Sequence, residues 1–497
     1  MSTESADPGP QQTSPSPGVS VQVLDPRRWR ALGVLALVQF MLVLDTTVVN
    51  VALPSIQRDL HFSASGLAWV VNGYTLMAGG FLILGGRVAD MLGRRRLFMI
   101  GLALFAVASA TSGLAQDSTM LVVSRFAQGL GEAIAGPAAL SLAVLMFSDP
   151  RERARAVGLW GGLAGLGGTV GVVLSGVITT YLSWRWVFLI NVPIAAAVLL
   201  VAPRLVSDSR SDKKSRIDVV GALLITAGLS LIVDGLLSAA DHAWGSTTVL
   251  IPLVGGTALV AAFVVSQAII RDPLVPLRFF RNRTRVTANI ATICFTASFI
   301  SMFYVMTLYM QDIGHYSALK TGLAYLPFGG ALLLGIGLST QLMPRIGVKV
   351  GLAIAFLISA VGFLLLGQIT VQVDYTAHIL PGLLLVALGN GFGLPGLQNA
   401  ALYEVDSTDA GLASGVQNTF LQIGGSLGLS VLVSLGLRHA TSKIAEGATL
   451  VVGTTDGYAL ALRIAAGFAI AAAVTVAIAF QRVRFVPPQE QAVAEIN

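Results

Sequence analysis

Asp45 sits in the run Leu44-Asp45-Thr46-Thr47-Val48-Val49-Asn50, inside the first long apolar stretch of the chain. An ionisable group at membrane depth costs at least about 2.5 to 3.5 kcal/mol, so it is retained because it is paired or used. A second set follows downstream. Arg125, Gln128, Gly129 and Glu132 are spaced so that they share one face of a helix. Desolvation makes a carboxylate hold its proton more tightly, and a neighbouring guanidinium does the opposite. Two carboxylates and an arginine inside apolar segments therefore point to reversible proton binding, with Asp45, Arg125 and Glu132 as candidate coupling residues. The competing reading is a permanent Asp45–Arg125 bridge that only braces two helices. No metal centre is indicated, because the five histidines, His61, His242, His315, His378 and His439, are scattered singly through predicted loops.

The elements that must position these groups are membrane helices. Of 497 residues, 55% are hydrophobic and only 11% charged, and the mean hydropathy is +0.78, whereas an ordinary soluble domain is about 25% charged. Windows of about 20 residues, enough to cross the hydrocarbon, predict fourteen helices. The first is expected near 31–52, the fourth near 119–146, and the seventh and eighth near 218–239 and 247–270. Lys and Arg gather in the segments on the amino-terminal side, which predicts that both termini are cytoplasmic. The net charge of +6 then reflects loops facing anionic lipid, not nucleic acid. Residues 1–28 read as a disordered cytoplasmic tail. Cys294 is alone and apolar in context, so no disulfide, redox chemistry or cofactor is implied. At 1.5 Å of rise per residue, Asp45 and Arg125 should both lie roughly 10 Å from the outer ends of their helices, with Glu132 about 10 Å deeper.

The second part of the chain copies the first. A shift of 254 residues aligns Gln57, His61, Ser63, Ala64 and Gly93 with Gln311, His315, Ser317, Ala318 and Gly347. The expected organisation is a six-helix bundle at 29–203, a linker at 204–217, two inserted helices at 218–270, a linker at 271–285, a second bundle at 286–482 and a tail at 483–497. Parallel six-helix repeats hold a substrate between them near mid-membrane and rock to expose it to either side. No Walker motif is present, and Gly391-Phe392-Gly393-Leu394-Pro395-Gly396 lies in an apolar helix, so neither nucleotide hydrolysis nor dinucleotide binding is indicated. The chain reads as a transporter and not an enzyme.

From about residue 30 to 482 the chain resembles the major facilitator superfamily, and within it the fourteen-helix drug:proton antiporters. Asp45 to Pro54 resembles that family's first-helix motif. The stretch Gly86-Arg87-Val88-Ala89-Asp90-Met91-Leu92-Gly93-Arg94-Arg95-Arg96 resembles the loop between helices 2 and 3. There Gly86, Asp90, Gly93, Arg94 and Arg95 would form a conformational latch, weakened by Met91 where the family often has Arg. The repeat-equivalent of Asp90 is Pro344, so the second copy has lost that carboxylate. Leu121 to Gly131 resembles the fourth-helix motif whose buried Arg is linked to proton transfer. In helix 5, Gly167, Gly171, Ser175 and Gly176 resemble the antiporter motif, with Val172 replacing its Pro. Trp184-Arg185-Trp186-Val187-Phe188-Leu189-Ile190-Asn191-Val192-Pro193 is similar to a further signature of the group.

The resemblance implies an all-α integral membrane fold of two six-helix bundles plus two extra helices, placed in a bacterial cytoplasmic membrane. It implies proton-coupled efflux of lipophilic, often cationic, drugs or antibiotics, with protons, membrane lipid and the small-molecule substrate as partners. Asn50, Gln128, Phe303, Asn390, Gln398 and Asn418 are the expected cavity residues. Transport of one metabolite by the same fold, or a membrane receptor without flux, are the alternatives.

Overall fold

The computed structural model describes residues 27–147, 149–209, 217–405 and 409–481. The predicted amino-terminal and carboxy-terminal tails lie largely outside the described residues, as does half of the 204–217 linker. Among the described residues, fourteen helices are long and apolar enough to cross a membrane. The first six are α1 (Arg28–Asp59), α2 (Gly66–Leu92), α3 (Arg94–Gly113), α4 (Ser118–Leu145), α5 (Arg151–Tyr181) and α6 (Trp186–Leu205). An inserted pair follows, α7 (Val219–Ser238) and α8 (Thr247–Ile269). The last six are α9 (Arg283–Ile313), α10 (Ala318–Ile346), α11 (Val348–Leu366), α12 (Tyr375–Ala401), α13 (Gly411–Ala445) and α14 (Leu450–Ala479). The described residues contain no strand, as expected where lipid leaves no alternative partner for backbone groups outside a helix or a closed barrel. The face on which α1 begins is called proximal below, and the opposite face distal.

Helix starts are written in polar residues. Asp117, Asp149, Asp218, Asn282, Ser317 and Thr449 each accept from backbone N–H groups of the first turn of the helix that follows, satisfying donors a helix leaves open. One predicted boundary is corrected. α1 does not stop near residue 52 but continues through Pro54 to Asp59, because a proline is tolerated inside a membrane helix when neighbouring helices cover the freed backbone groups. Asp45 is therefore near the middle of α1, roughly 21 Å from its distal end, and not at the shallow depth expected. Asp59 is held there by Trp184 Nε1 at 2.9 Å and by the Arg185 guanidinium, which accounts for two residues of the signature at the start of α6.

The duplication is visible in the backbone. His61 and His315 both adopt left-handed conformations, at φ +52° and +51°, and so do Gly93 and Gly347, at +108° and +82°. Ser63 Oγ accepts from Gly66 N and Ser317 Oγ from Lys320 N, the same three-residue step. Within the first bundle, α4 presses on α2 and α3 through glycines. A Cβ at Gly131 would come within 2.7 Å of Phe105 N, and Gly129 faces the Tyr74 carbonyl at a distance that leaves no room for one. This close approach carries the polar face of α4 into the bundle. The glycine and serine face of α5 divides its contacts. Gly167 and Gly171 pack on Val43 and Thr47 of α1, and Ser175 Oγ donates to the Val48 carbonyl. Gly176 instead meets Ala318 of the second bundle. The inserted α7 packs on α2 and α13, while α8 packs on α7.

Gly93→Val places a β-branched residue at φ +108° and is expected to cost about 1 to 3 kcal/mol. Thermal unfolding of purified protein in detergent checks this, and Gly347→Val should behave alike.

Candidate functional site

Asp45 and Arg125 are in contact, with Nη1 2.7 Å from Oδ2, and their side chains are 0% and 2% exposed. The contact is one edge of a closed polar cluster. Gln128 Nε2 donates to Asp45 Oδ1 at 2.7 Å, and Asn191 Nδ2 donates to the same oxygen at 2.8 Å. Arg125 Nη1 also reaches Gln128 Oε1 at 2.7 Å, and Nε reaches the Val70 carbonyl at 2.9 Å. Ser109 Oγ accepts from Gln128 and Asn191 and donates to the Phe188 carbonyl. The guanidinium lies over the Tyr74 ring, 4.2 Å from its centroid, with the Phe188 ring at 5.6 Å. Five helices, α1, α2, α3, α4 and α6, thus converge on one carboxylate.

Arg125 and Gln128 are a helical step apart, so α4 alone supplies both the counter-charge and an amide that bridges it to Asp45. Charges removed from water are tolerated only when paired and hydrogen-bonded, and the Asp45 carboxylate receives three donors from neighbouring side chains. Gln128 was expected to line a cavity. It is instead fully buried, because both ends of its amide are taken up by Asp45, Arg125 and Ser109. Asn191, Ser109 and the Val70 carbonyl were not anticipated as cluster members. Asn191 was legible as part of a motif, whereas Ser109 had no distinguishing signal.

Glu132, two turns along α4 from Arg125, behaves differently. Its Oε2 is buried and makes no hydrogen bond of good geometry, but the Tyr74 hydroxyl lies against the carboxylate, and the residue as a whole keeps partial exposure. Tyr74 thus presents its ring to Arg125 and its hydroxyl to Glu132. Asn50 is buried, donates to the Thr46 carbonyl at 3.0 Å and leaves Oδ1 free.

In the second bundle, Asn390 is buried, accepts from Ser359 Oγ at 3.0 Å and leaves Nδ2 unpartnered. Phe303 is half-buried in an aromatic group with Phe299, Tyr325 and Phe328, its ring 5.1 to 5.3 Å from each of theirs. Gln398 and Asn418 are exposed, and Asn418 donates to its own helix at the Ser414 carbonyl. Neither joins the buried polar groups. The turn after α2 is tied to its own bundle: Asp90 pairs with Arg94 at 2.7 Å, Arg94 reaches Ser209, and Arg95 reaches the Pro203 and Val206 carbonyls. Gly86 lies opposite Pro137 of α4. Arg87, between them, points elsewhere and donates to the Pro273 and Leu274 carbonyls at 2.7 and 3.0 Å.

A family model for the Major Facilitator Superfamily matches residues 35–429, and the chain belongs to that superfamily. It is therefore a membrane transporter and not an enzyme. Among curated relatives, the puromycin resistance protein pur8 of Streptomyces alboniger is 37% identical over 468 residues, covering 93% of each chain. The lincomycin resistance protein of Streptomyces lincolnensis is 38% identical, covering 82% of this chain and 84% of that one. The cephamycin export protein CmcT of Amycolatopsis lactamdurans is also 38% identical, with the same coverage. Among solved structures, an auto-inhibited POT family peptide transporter superposes with a TM-score of 0.67 at 16% identity, covering 92% of this chain and 98% of that one. A bacterial homolog of the human lysosomal transporter Spinster, inward-facing and unoccupied, gives 0.64 at 16% identity, covering 92% and 97%. These structures share the fold.

Arg125→Ala strands a buried carboxylate and is expected to destabilise the protein by about 3 to 5 kcal/mol. Asp45→Asn combined with Arg125→Gln should recover part of that loss, and a double-mutant cycle on thermal unfolding measures the coupling.

Proposed function

We infer that this transporter exports antibiotics or related drugs across the bacterial cytoplasmic membrane in exchange for protons. The two bundles, 29–203 and 286–482, alternate access to a site between them, and both termini face the cytoplasm. The export reading rests on three relatives, two described by antibiotic resistance and one by antibiotic export. Coupling to protons rests on one observation: α4 carries a sealed ion-pair residue, Arg125, and two turns away a buried acidic group, Glu132, that faces the Tyr74 hydroxyl.

The two carboxylates divide the work. Every donor around Asp45 is committed, so a proton can reach it only if α1 and α4 shift and the Gln128 and Asn191 amides let go. Its protonation is thereby tied to conformation. Glu132 faces the neutral Tyr74 hydroxyl, so it can hold a proton, and the cationic end of a substrate can take the proton's place once the moving bundles expose the carboxylate. A substrate cation displaces the proton there, and rocking of the bundles carries the exchange across the membrane. Asn50, Asn390 and the aromatic group around Phe303 supply the remaining polar and apolar contacts. Arg125 acts on every substrate because it sets the state of Asp45. The turn from Gly86 to Arg95, through Asp90 and Arg94, stiffens the proximal end of α2 as the bundles move. The face bearing Gly167, Gly171, Ser175 and Gly176 keeps α5 seated on α1.

Everted vesicles energised by an imposed pH gradient test the reading, with puromycin and lincomycin as probes. Uphill accumulation that dissipates the gradient is expected. Asp45→Asn should abolish it for every substrate, and Glu132→Gln should abolish it for cations while sparing neutral compounds. Undiminished gradient-driven uptake in the Asp45→Asn/Glu132→Gln double variant would overturn the coupling scheme, and binding without flux would identify a receptor.

A further inference from the structure

The two bundles meet chiefly along two seams, α2 against α13 and α5 against α10, with α1 touching α9 between them, where Gln311 Nε2 donates to the Val51 carbonyl at 2.8 Å. The internal duplication makes these seams equivalent: α2 corresponds to α10, and α5 to α13. The 254-residue shift that aligns α2 with α10 becomes 257 residues for α5 and α13, where it superposes Gly158, Gly167, Gly168 and Gly171 on Gly415, Gly424, Gly425 and Gly428. Equivalent seams should be open or closed alike. They are not.

The α2/α13 seam is closed through the middle of the membrane and beyond. On its distal side the Asn72 amide is fully used, donating to Ser430 Oγ and accepting from Ser426 Oγ, both at 2.9 Å. At mid-depth Thr419 Oγ1 donates to the Gly79 carbonyl at 3.0 Å. Further toward the proximal side, Gly415 packs on Ile83, a Cβ there lying 3.3 Å from the Ile83 side chain. The α5/α10 seam is closed only distally, from Thr180, whose Oγ1 accepts from Leu319 N, to the packing of Gly329 on Thr169. Below that point it is open. The repeat-equivalents of Ile83 and Gly415 are Gly337 and Gly158, and neither has an atom within 4 Å of where a Cβ would be. The equivalents of Gly79 and Thr419 are Leu333 and Gly162, and both are exposed. Gly158 and Gly162 border an apolar groove of about 800 Å³ shared with Trp29, Leu159 and Leu166.

What distinguishes the closed seam is the inserted hairpin. α7 lies along it, touching α2 and α13 together, with Thr226 filling the space over Gly80. The hairpin is pinned at both ends. Distally, Arg438 of α13 donates to the Ala239 and His242 carbonyls at 2.9 and 2.7 Å, and Ser65, just before α2, donates to Asp241 at 2.7 Å. Proximally, Arg87 of α2 holds the Pro273 and Leu274 carbonyls. That segment is in turn fixed to the hairpin, because Gln267 Oε1 accepts from Val275 N while Gln267 Nε2 donates to Asp218. We propose that the α7–α8 hairpin is a strap that keeps the α2/α13 seam shut throughout the transport cycle, so that the bundles pivot there and only the α5/α10 seam opens and closes. The proposal rests on alternating access, and it makes the motion one-sided where a bare twelve-helix design would be symmetric. It also leaves the α5/α10 seam as the side on which the pathway can communicate with lipid.

Two distal cross-links separate the possibilities, built in a Cys294→Ala background since Cys294 is the single cysteine. Asn72→Cys/Ser430→Cys bridges the strapped seam and Thr180→Cys/Leu319→Cys bridges the other; each oxidised protein is compared with its own reduced form for drug uptake into everted vesicles. The expected result is uptake within about twofold after bridging α2/α13 and a loss of at least about tenfold after bridging α5/α10. Loss in both overturns the strap and leaves alternating access standing. No loss in either overturns alternating access and the strap with it. Spin labels across α2/α13 supply the second readout: one narrow distance during turnover is expected, broadened by Arg87→Gln/Arg438→Gln. A distribution unchanged in that variant overturns the role of the tethers.

Discussion

The structure of the first bundle is organised around one constraint, a carboxylate that cannot reach water. Asp45 lies at the middle of a membrane helix, and a single arginine would neutralise it without filling its acceptor capacity. The chain meets both needs by bringing α3, α4 and α6 to the same place, so that a guanidinium and two amides face the two carboxylate oxygens. Each donor is itself held, Arg125 by the Val70 carbonyl and the Tyr74 ring, and Gln128 and Asn191 by Ser109. A cluster of this kind is satisfied in one arrangement of helices and unsatisfied in nearly any other, which is how a buried ion pair contributes specificity more than stability.

That constraint requires backbones to approach closely, and the glycines of α4 allow it. Without Gly129 against Tyr74 and Gly131 against Phe105, the polar face of α4 would stand too far from α2 and α3 for its side chains to meet. The same logic governs α5, whose small residues serve α1 on one side and α10 on the other. In lipid, where apolar contact gains nothing over the solvent, packing of small residues and shared hydrogen bonds carry helix association. The contacts between the two bundles lie chiefly at the α2/α13 and α5/α10 seams, where the proposed rocking would be accommodated.

The inserted helices change the symmetry of that accommodation. A duplicated fold starts with two equivalent seams. Adding a hairpin on one of them, tethered to both bundles, makes the two sides physically different even though their sequences still correspond. The open groove along the proximal half of α5 and its closed counterpart along α13 express that difference in a single conformation.

Much of this was readable in the order of the residues. Fourteen spans, two copies and an insert follow from hydropathy and self-similarity, since a membrane leaves helices little freedom in length or backbone bonding. Asp45, Arg125 and Glu132 stood out because charge at that depth is rare. What the order of residues could not provide is which groups touch. Gln128 shares a helix face with Glu132, yet one is sealed between Asp45 and Arg125 and the other faces the Tyr74 hydroxyl, because helix rotation and neighbours decide it, not spacing. Ser109 is one serine among many until α3 carries it to Gln128 and Asn191. Gln398 and Asn418 looked as suitable as Asn390, but only Asn390 is buried. The length of α1 was misjudged because proline is read as a stop, whereas surrounding helices let it continue. Periodicity and composition act along the chain and are legible there; partner choice acts across it, through contacts between residues far apart in sequence, and exists only once the helices are packed.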